Sequence, residues 1–130
     1  MLDPENSKTA LSIRTHTIAF ISWMEHYVES KKRISISEWF EEYDQKPRWL
    51  FLSCSETQLE ILRPYFSMIM DLMIMKLMGL GENHDRRCWM IIDELPALNK
   101  LPSLELALTQ GRKYGCCVLS GLQSVRQLYE

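Results

Sequence analysis

Trp89-Met90-Ile91-Ile92 sets large apolar residues in succession and runs straight into Asp93-Glu94. Cys116-Cys117-Val118-Leu119, between two glycine-containing turns, is a second such run. Trp49-Leu50-Phe51-Leu52-Ser53 is a third. Apolar runs this short, bounded by turn residues, predict strands buried on both faces. The intervening segments have a different rhythm. Leu11, Ile18, Phe20-Ile21, Met24 and Val28 supply apolar faces without a Gly or Pro between them, so a helix is expected from Asp3-Pro4 to about Ser30. Lys31-Lys32-Arg33 would close it, because cations suit the negative end of a helix.

Capping signals place the later helices. Ser35 and Glu38 have the spacing of a capping box, and Ile34 and Trp39 that of a hydrophobic staple; the short helix they open should reach about Tyr43. Ser55 and Gln58 open a long helix to about Met78, in which Pro64 marks a kink or the true first turn. Pro102 opens a helix to about Gln110, and Gly111 and Gly115 should bracket a loop holding Arg112 and Lys113. Ser124 and Gln127 repeat the box near the end. Strands alternating with helices imply an α/β fold with a parallel sheet joined by right-handed crossovers. The first helix lies outside this alternation.

Composition narrows the function classes. With 130 residues, 46% hydrophobic and 25% charged, the chain suits one soluble globular core. A formal net charge of −2 argues against a strong polyanion binder overall. Basic groups are local, at Lys31-Lys32-Arg33, Arg86-Arg87 and Arg112-Lys113. Cys54, Cys88, Cys116 and Cys117 lack C-x-x-C spacing and read as reduced, mostly buried thiols rather than metal ligands. Trp49 and Trp89 read as core rather than as base-stacking platforms. Tyr65 to Leu80 is apolar but carries Asp71 and Lys76 and is shorter than the roughly 20 residues a membrane span needs. It reads as a core helix, in a soluble chain with no transmembrane segment and no leader behind Met1.

The candidate chemistry sits at the strand ends. Ligands in parallel sheets bind at the carboxyl edge, where Asp93 and Glu94 would stand. In nucleotide hydrolysis one acid holds Mg²⁺, here Asp93 through a water, and the other, Glu94, orients or deprotonates the attacking water. Gln123 follows the next strand and would face the same crevice, able to bond a γ-phosphate or orient water. Arg112 is a candidate for reaching a neighbouring subunit's nucleotide, with a helix-terminal arginine as the plain alternative. No G-x-x-x-x-G-K-[ST] occurs in the sequence, so the phosphate-cradling loop is missing.

Ile91-Ile92-Asp93-Glu94-Leu95-Pro96-Ala97-Leu98, Leu101-Pro102-Ser103-Leu104, Gln110-Gly111-Arg112-Lys113-Tyr114-Gly115 and Gly121-Leu122-Gln123-Ser124 closely resemble the type IV secretion coupling proteins of the TraD/TrwB type, the conjugation ATPases. Asp3-Pro4-Glu5-Asn6, Ser12-Ile13-Arg14, Ser35-Ile36-Ser37-Glu38-Trp39 and Trp49-Leu50-Phe51-Leu52 resemble them too, so the likeness covers nearly the whole chain. The resemblance implies a partial RecA-like nucleotide-binding domain over 46–130, carrying the Walker B acids. It implies that 1–45 is a helical segment from the all-α domain or its junction. By motif match Asp93 is the Walker B aspartate and Glu94 the catalytic glutamate. Arg112 matches the proposed arginine finger, and Gln123 the Gln of the third nucleotide motif.

The family uses ATP and Mg²⁺, assembles as hexameric rings on the cytoplasmic side of the inner membrane, and passes relaxase-bound single-stranded DNA to secretion-channel proteins. Relative to that pattern the anchor, the Walker A loop and the closing strands are absent, as for a fragment of the motor domain. The expectation is a chain that binds no cofactor tightly and does not hydrolyse ATP unaided. The alternatives are a non-catalytic module that docks to relaxosome or channel proteins, and an inert remnant. An open sheet edge further predicts pairing between chains, as a dimer or swapped assembly.

Overall fold

The computed structural model describes residues 4–26, 33–42, 46–98 and 100–128. The expected Asp3 cap, the helix end near Ser30 with its closing Lys31-Lys32, and the expected end of the short helix at Tyr43 lie outside them. The chain divides into two compact units, Met1–Ser30 and Lys31–Glu130.

The first unit is helix α1, Pro4–Ile21, followed by a 3₁₀ turn over Ser22–His26. Pro4 at the first helical position loses nothing, since an N–H there has no intrahelical partner. The expected single helix thus changes to the tighter 3₁₀ form at Ser22.

In the second unit, helix α2 (Ile36–Glu41) is capped by Ser35, whose Oγ accepts the Glu38 N–H at 3.3 Å. Its Phe40 is buried. Helix α3 spans Glu56–Gly79. At its start Gln58 Oε1 accepts from the Ser55 N–H at 3.4 Å and from Ser55 Oγ at 2.9 Å. Pro64 lies inside α3, where its missing N–H forfeits one helical bond. Met73, Ile74 and Leu77 bury the far half of α3. Among the described residues no helix is long and apolar enough to cross a membrane.

Strand β1 (Cys88–Ile92) pairs in parallel with strand β2 (Cys116–Ser120), from Cys88 opposite Cys116 to Ile92 opposite Ser120. A short 3₁₀ turn, Leu95–Ala97, and helix α4, Pro102–Tyr114, connect them. The core joins Phe40, Met73, Ile74, Leu77, Cys88, Met90, Ala107 and Cys116. Helices α3 and α4 therefore cover one face of the sheet.

This one-sided cover corrects the expectation of strands buried on both faces. Cys88, Met90 and Ile92 point into the core, whereas Trp89 is 59% and Ile91 54% exposed. The period of two separates the faces, and within the second unit no described element covers the second face at these residues. The third expected strand is also corrected. Residues 49–53 form no ladder, Trp49 and Phe51 are mostly exposed, and their rings stack at 6.0 Å. An apolar run supplies side chains for a strand but not the neighbouring ladder that defines one. Trp49 and Trp89 are accordingly not core residues.

Helix α4 runs four residues beyond the expected end at Gln110, so Gly111, Arg112 and Lys113 are helical rather than in a loop. Gly111 is there for closeness: a Cβ on it would stand 2.9 Å from Cys116 Cβ. Gly115 is the true helix stop, at φ 78°.

Candidate functional site

The site is built where β1 and β2 end. The ladder continues one step beyond Ser120: Gly121 N–H donates to Ile92 O at 2.7 Å, and Leu95 N–H donates to Gly121 O at 3.1 Å. A Cβ at position 121 would lie 2.1 Å from Asp93 O. Only a residue without a side chain lets the two backbones approach this closely. The glycine thereby draws the segment after β2 against the acids after β1.

Glu94 and Gln123 meet as a result. Gln123 Nε2 donates to Glu94 Oε2 at 2.6 Å, across 29 residues of sequence. A short bond to a carboxylate is of the charge-assisted kind. Glu94 is half-buried, while Asp93 and Gln123 are exposed. A carboxylate pair with an amide at a sheet's carboxyl edge can take a hydrated cation and orient a water.

Arg112 is elsewhere. It is exposed in the last turn of α4, just before β2 begins. At about 3.3 Å per residue, five-residue β2 puts its backbone roughly 15 Å from the Gln123 end. The structure therefore brings together Glu94 and Gln123, beside Asp93, and does not bring Arg112 to them within this chain.

The opposite, amino-terminal end of the sheet is braced. Buried Arg86 donates from Nη1 to Gly81 O at 3.2 Å and to Tyr114 O at 3.4 Å, placing a cation on the last carbonyl of α4. Asn83 Oδ1 accepts the N–H of Asp85 at 2.9 Å and of Arg86 at 3.0 Å. Lys113 Nζ lies 3.3 Å from Glu82, and this bond, with Tyr114 adding to it, holds the ammonium above its usual range. Burial, then the neighbouring Cys88 and Cys117, pushes the Cys116 thiol up to about 11. All four cysteines are free thiols. No group of three or more metal-binding side chains occurs among the described residues.

Two contributors carry weak signals in the sequence. Leu101 precedes α4 and offers no side-chain acceptor. Asp71, 32 residues away on α3, substitutes: its Oδ1 accepts the Ser103 N–H at 3.1 Å and also the Ser103 hydroxyl. The charge that argued against a membrane span thus serves as a helix cap in trans of its own helix. Gly121 is the other. A lone glycine after a strand marks a close backbone approach, and that is the signal that points to it.

Comparison with known proteins gives the family of the chain. The family described as the type IV secretion-system coupling protein DNA-binding domain matches residues 1–130. The coupling protein TraD of Escherichia coli (strain K12) is 36% identical over 133 residues, which cover 98% of this chain and 18% of that protein. The solved plasmid coupling protein TrwB in complex with ADP and Mg²⁺ is 35% identical, with a TM-score of 0.75 over 98% of this chain and 30% of its own. TrwB in complex with a non-hydrolysable ATP analogue gives a TM-score of 0.79 at 35% identity over the same shares. The chain thus spans less than a third of these relatives.

The acidic donor set fits the metal half of such a ligand, because Mg²⁺ takes one or two carboxylates and keeps its remaining waters. The triphosphate half lacks its Gly-rich loop in this sequence. With a parallel α/β sheet of RecA-like kin, acids at its carboxyl edge and family likeness along its whole length, the chain belongs to the type IV secretion-system coupling proteins.

Proposed function

We propose that this chain is the Walker B portion of a nucleotide-hydrolysing motor that drives relaxase-bound single-stranded DNA into a secretion channel. The observation that supports this best is the 2.6 Å bond between Gln123 and Glu94 at the carboxyl edge of the sheet. In this reading Asp93 would hold Mg²⁺ through a water. The bound cation supplies neutralisation of phosphate charge. Glu94 would orient or deprotonate the attacking water, and Gln123, bonded to that carboxylate, would bond a γ-phosphate or orient the water. Arg112, exposed and remote from its own acids, serves a neighbouring subunit's site in a ring. Residues 1–45 contribute to the all-α domain or its junction, and the motor works at the cytoplasmic face of the inner membrane.

Without a phosphate loop the chain alone is expected to show no ATP turnover. Mixing it with a polypeptide that carries the loop should restore Mg²⁺-dependent hydrolysis, and Glu94→Gln should abolish it. Hydrolysis by the pure chain, or its survival in Glu94→Gln, overturns the reading.

A second reading is a docking module for relaxosome or channel proteins. The exposed apolar side chains of Trp49, Phe51, Trp89 and Ile91 favour it. Strong binding to such a partner, indifferent to nucleotide and to Glu94→Gln, would select this reading. The unpaired outer edges of β1 and β2 among the described residues also support pairing between chains, which light scattering across micromolar concentrations tests.

A further inference from the structure

Gln127 makes one hydrogen bond more than its local turn requires. Its Oε1 accepts the Ser124 N–H at 3.1 Å and the Gln123 N–H at 2.9 Å. Its own N–H donates to Ser124 O at 3.2 Å. The Ser124 bond belongs to the start of the 3₁₀ turn Val125–Leu128. The Gln123 bond does not, because Gln123 precedes the capping residue. The molecule contains its own control. At the equivalent Ser55–Gln58 box, Gln58 Oε1 takes the N–H and hydroxyl of Ser55, both on the capping residue itself.

We propose that Gln127 is a positioning residue for Gln123, pinning its backbone so that its side-chain amide reaches the Glu94 carboxylate. The inference rests on the reading of Glu94 and Gln123 as a working pair. The physical need is plain. Gln123 is exposed on an irregular segment after β2, and ordering a long side chain carries an entropic cost. The charge-assisted bond to Glu94 offsets that cost, but water competes for Gln123 at this exposed position. The Glu94 bond alone does not fix the geometry, which depends on a fixed point of origin for the side chain. Two successive N–H groups held by one amide oxygen supply that point. A chain of bonds then runs from the 3₁₀ turn through Gln123 to the end of β1.

The test uses the full ¹⁵N-labelled chain without nucleotide, so its outcome is independent of whether the chain binds or hydrolyses ATP. The readout is the Gln123 side-chain NH₂ resonance and its exchange with water, identified by its loss in Gln123→Ala. Glu94→Ala should move this signal and speed its exchange about tenfold or more, the factor one net bond to a charged group supports. Gln127→Ala should move it the same way, and adding Glu94→Ala to Gln127→Ala should change nothing further. Gln127→Glu, whose carboxylate still accepts both N–H groups, should leave the signal in its original place. Unchanged β1 amide resonances establish that each variant is folded, and Gln127→Asn, one methylene too short, repeats the test should Gln127→Ala lose them. The proposal fails if the signal in Gln127→Ala or Gln127→Asn still responds fully to Glu94→Ala, the result expected of a cap and nothing more.

Discussion

The two ends of the β1–β2 pair are built on opposite terms. At the amino end the structure is closed: Arg86 is buried on two carbonyls, Gly115 stops α4, and Cys88 N–H donates to Gly115 O at 2.8 Å. At the carboxyl end Asp93, Gln123 and Ser124 stand in solvent, held by a glycine contact and a few side-chain bonds. Both ends share the same two strands. What differs is burial. The amino end carries stability, and the carboxyl end leaves its polar groups accessible to a ligand, as parallel sheets do.

The largest test of this contrast is Gly115→Ala. The new Cβ would lie 2.5 Å from Arg86 O, on a backbone at φ 78°. Strain and overlap together should cost about 3 kcal/mol or more, read as a drop in urea midpoint. Gly121→Ala meets a backbone oxygen even more closely, but at the open end. It should release the segment at 121–123 and cost less than Gly115→Ala; an equal or greater loss breaks the contrast.

Arg86→Met comes next. It removes charge-assisted bonds to two carbonyls and should cost about 1.5–3 kcal/mol by the same measurement. Asp71→Ala, which uncaps α4 from the side of α3, should cost about 1–2 kcal/mol.

A pH dependence follows from Cys116. Its folded pKa is raised from 9.0 to about 11, so the unfolded chain gives up this proton first. The contribution is complete below pH 9 and is lost as pH rises towards 11. Stability should therefore fall across that window in the native chain, and Cys116→Ala should flatten the fall. The smallest effect belongs to Glu94→Gln. Position 94 is half-buried at the open end, and the change keeps an acceptor for Gln123, so stability should shift by less than about 0.5 kcal/mol.

Much of this arrangement is legible in the residues. Apolar runs followed by Asp93-Glu94 and by Gly121-Leu122-Gln123 predict two parallel strands with polar groups at one edge, because the apolar run and its turn residues are local properties. Ser35 and Ser55 mark their helix starts for the same reason. Failures come where a distant partner decides. Trp49-Leu50-Phe51-Leu52 reads as a strand, yet a strand exists only if another backbone completes its ladder. Trp89 and Ile91 read as core, yet their burial requires an element on the second face of the sheet. Gly111 reads as a loop residue, yet packing against Cys116 keeps it within α4.

The sequence by itself determined the alternation of strand and helix, the placement of acids and glutamine after successive strands, and the family likeness. All of these depend on residues close together along the chain. Only the tertiary structure decided that Glu94 and Gln123 touch, that Arg112 stands at the other end, that Asp71 caps a helix not its own, and that the sheet is covered on one face. Each of these is a meeting between residues far apart in the chain, set by how closely two backbones approach, and at Gly121 by the absence of a single carbon atom.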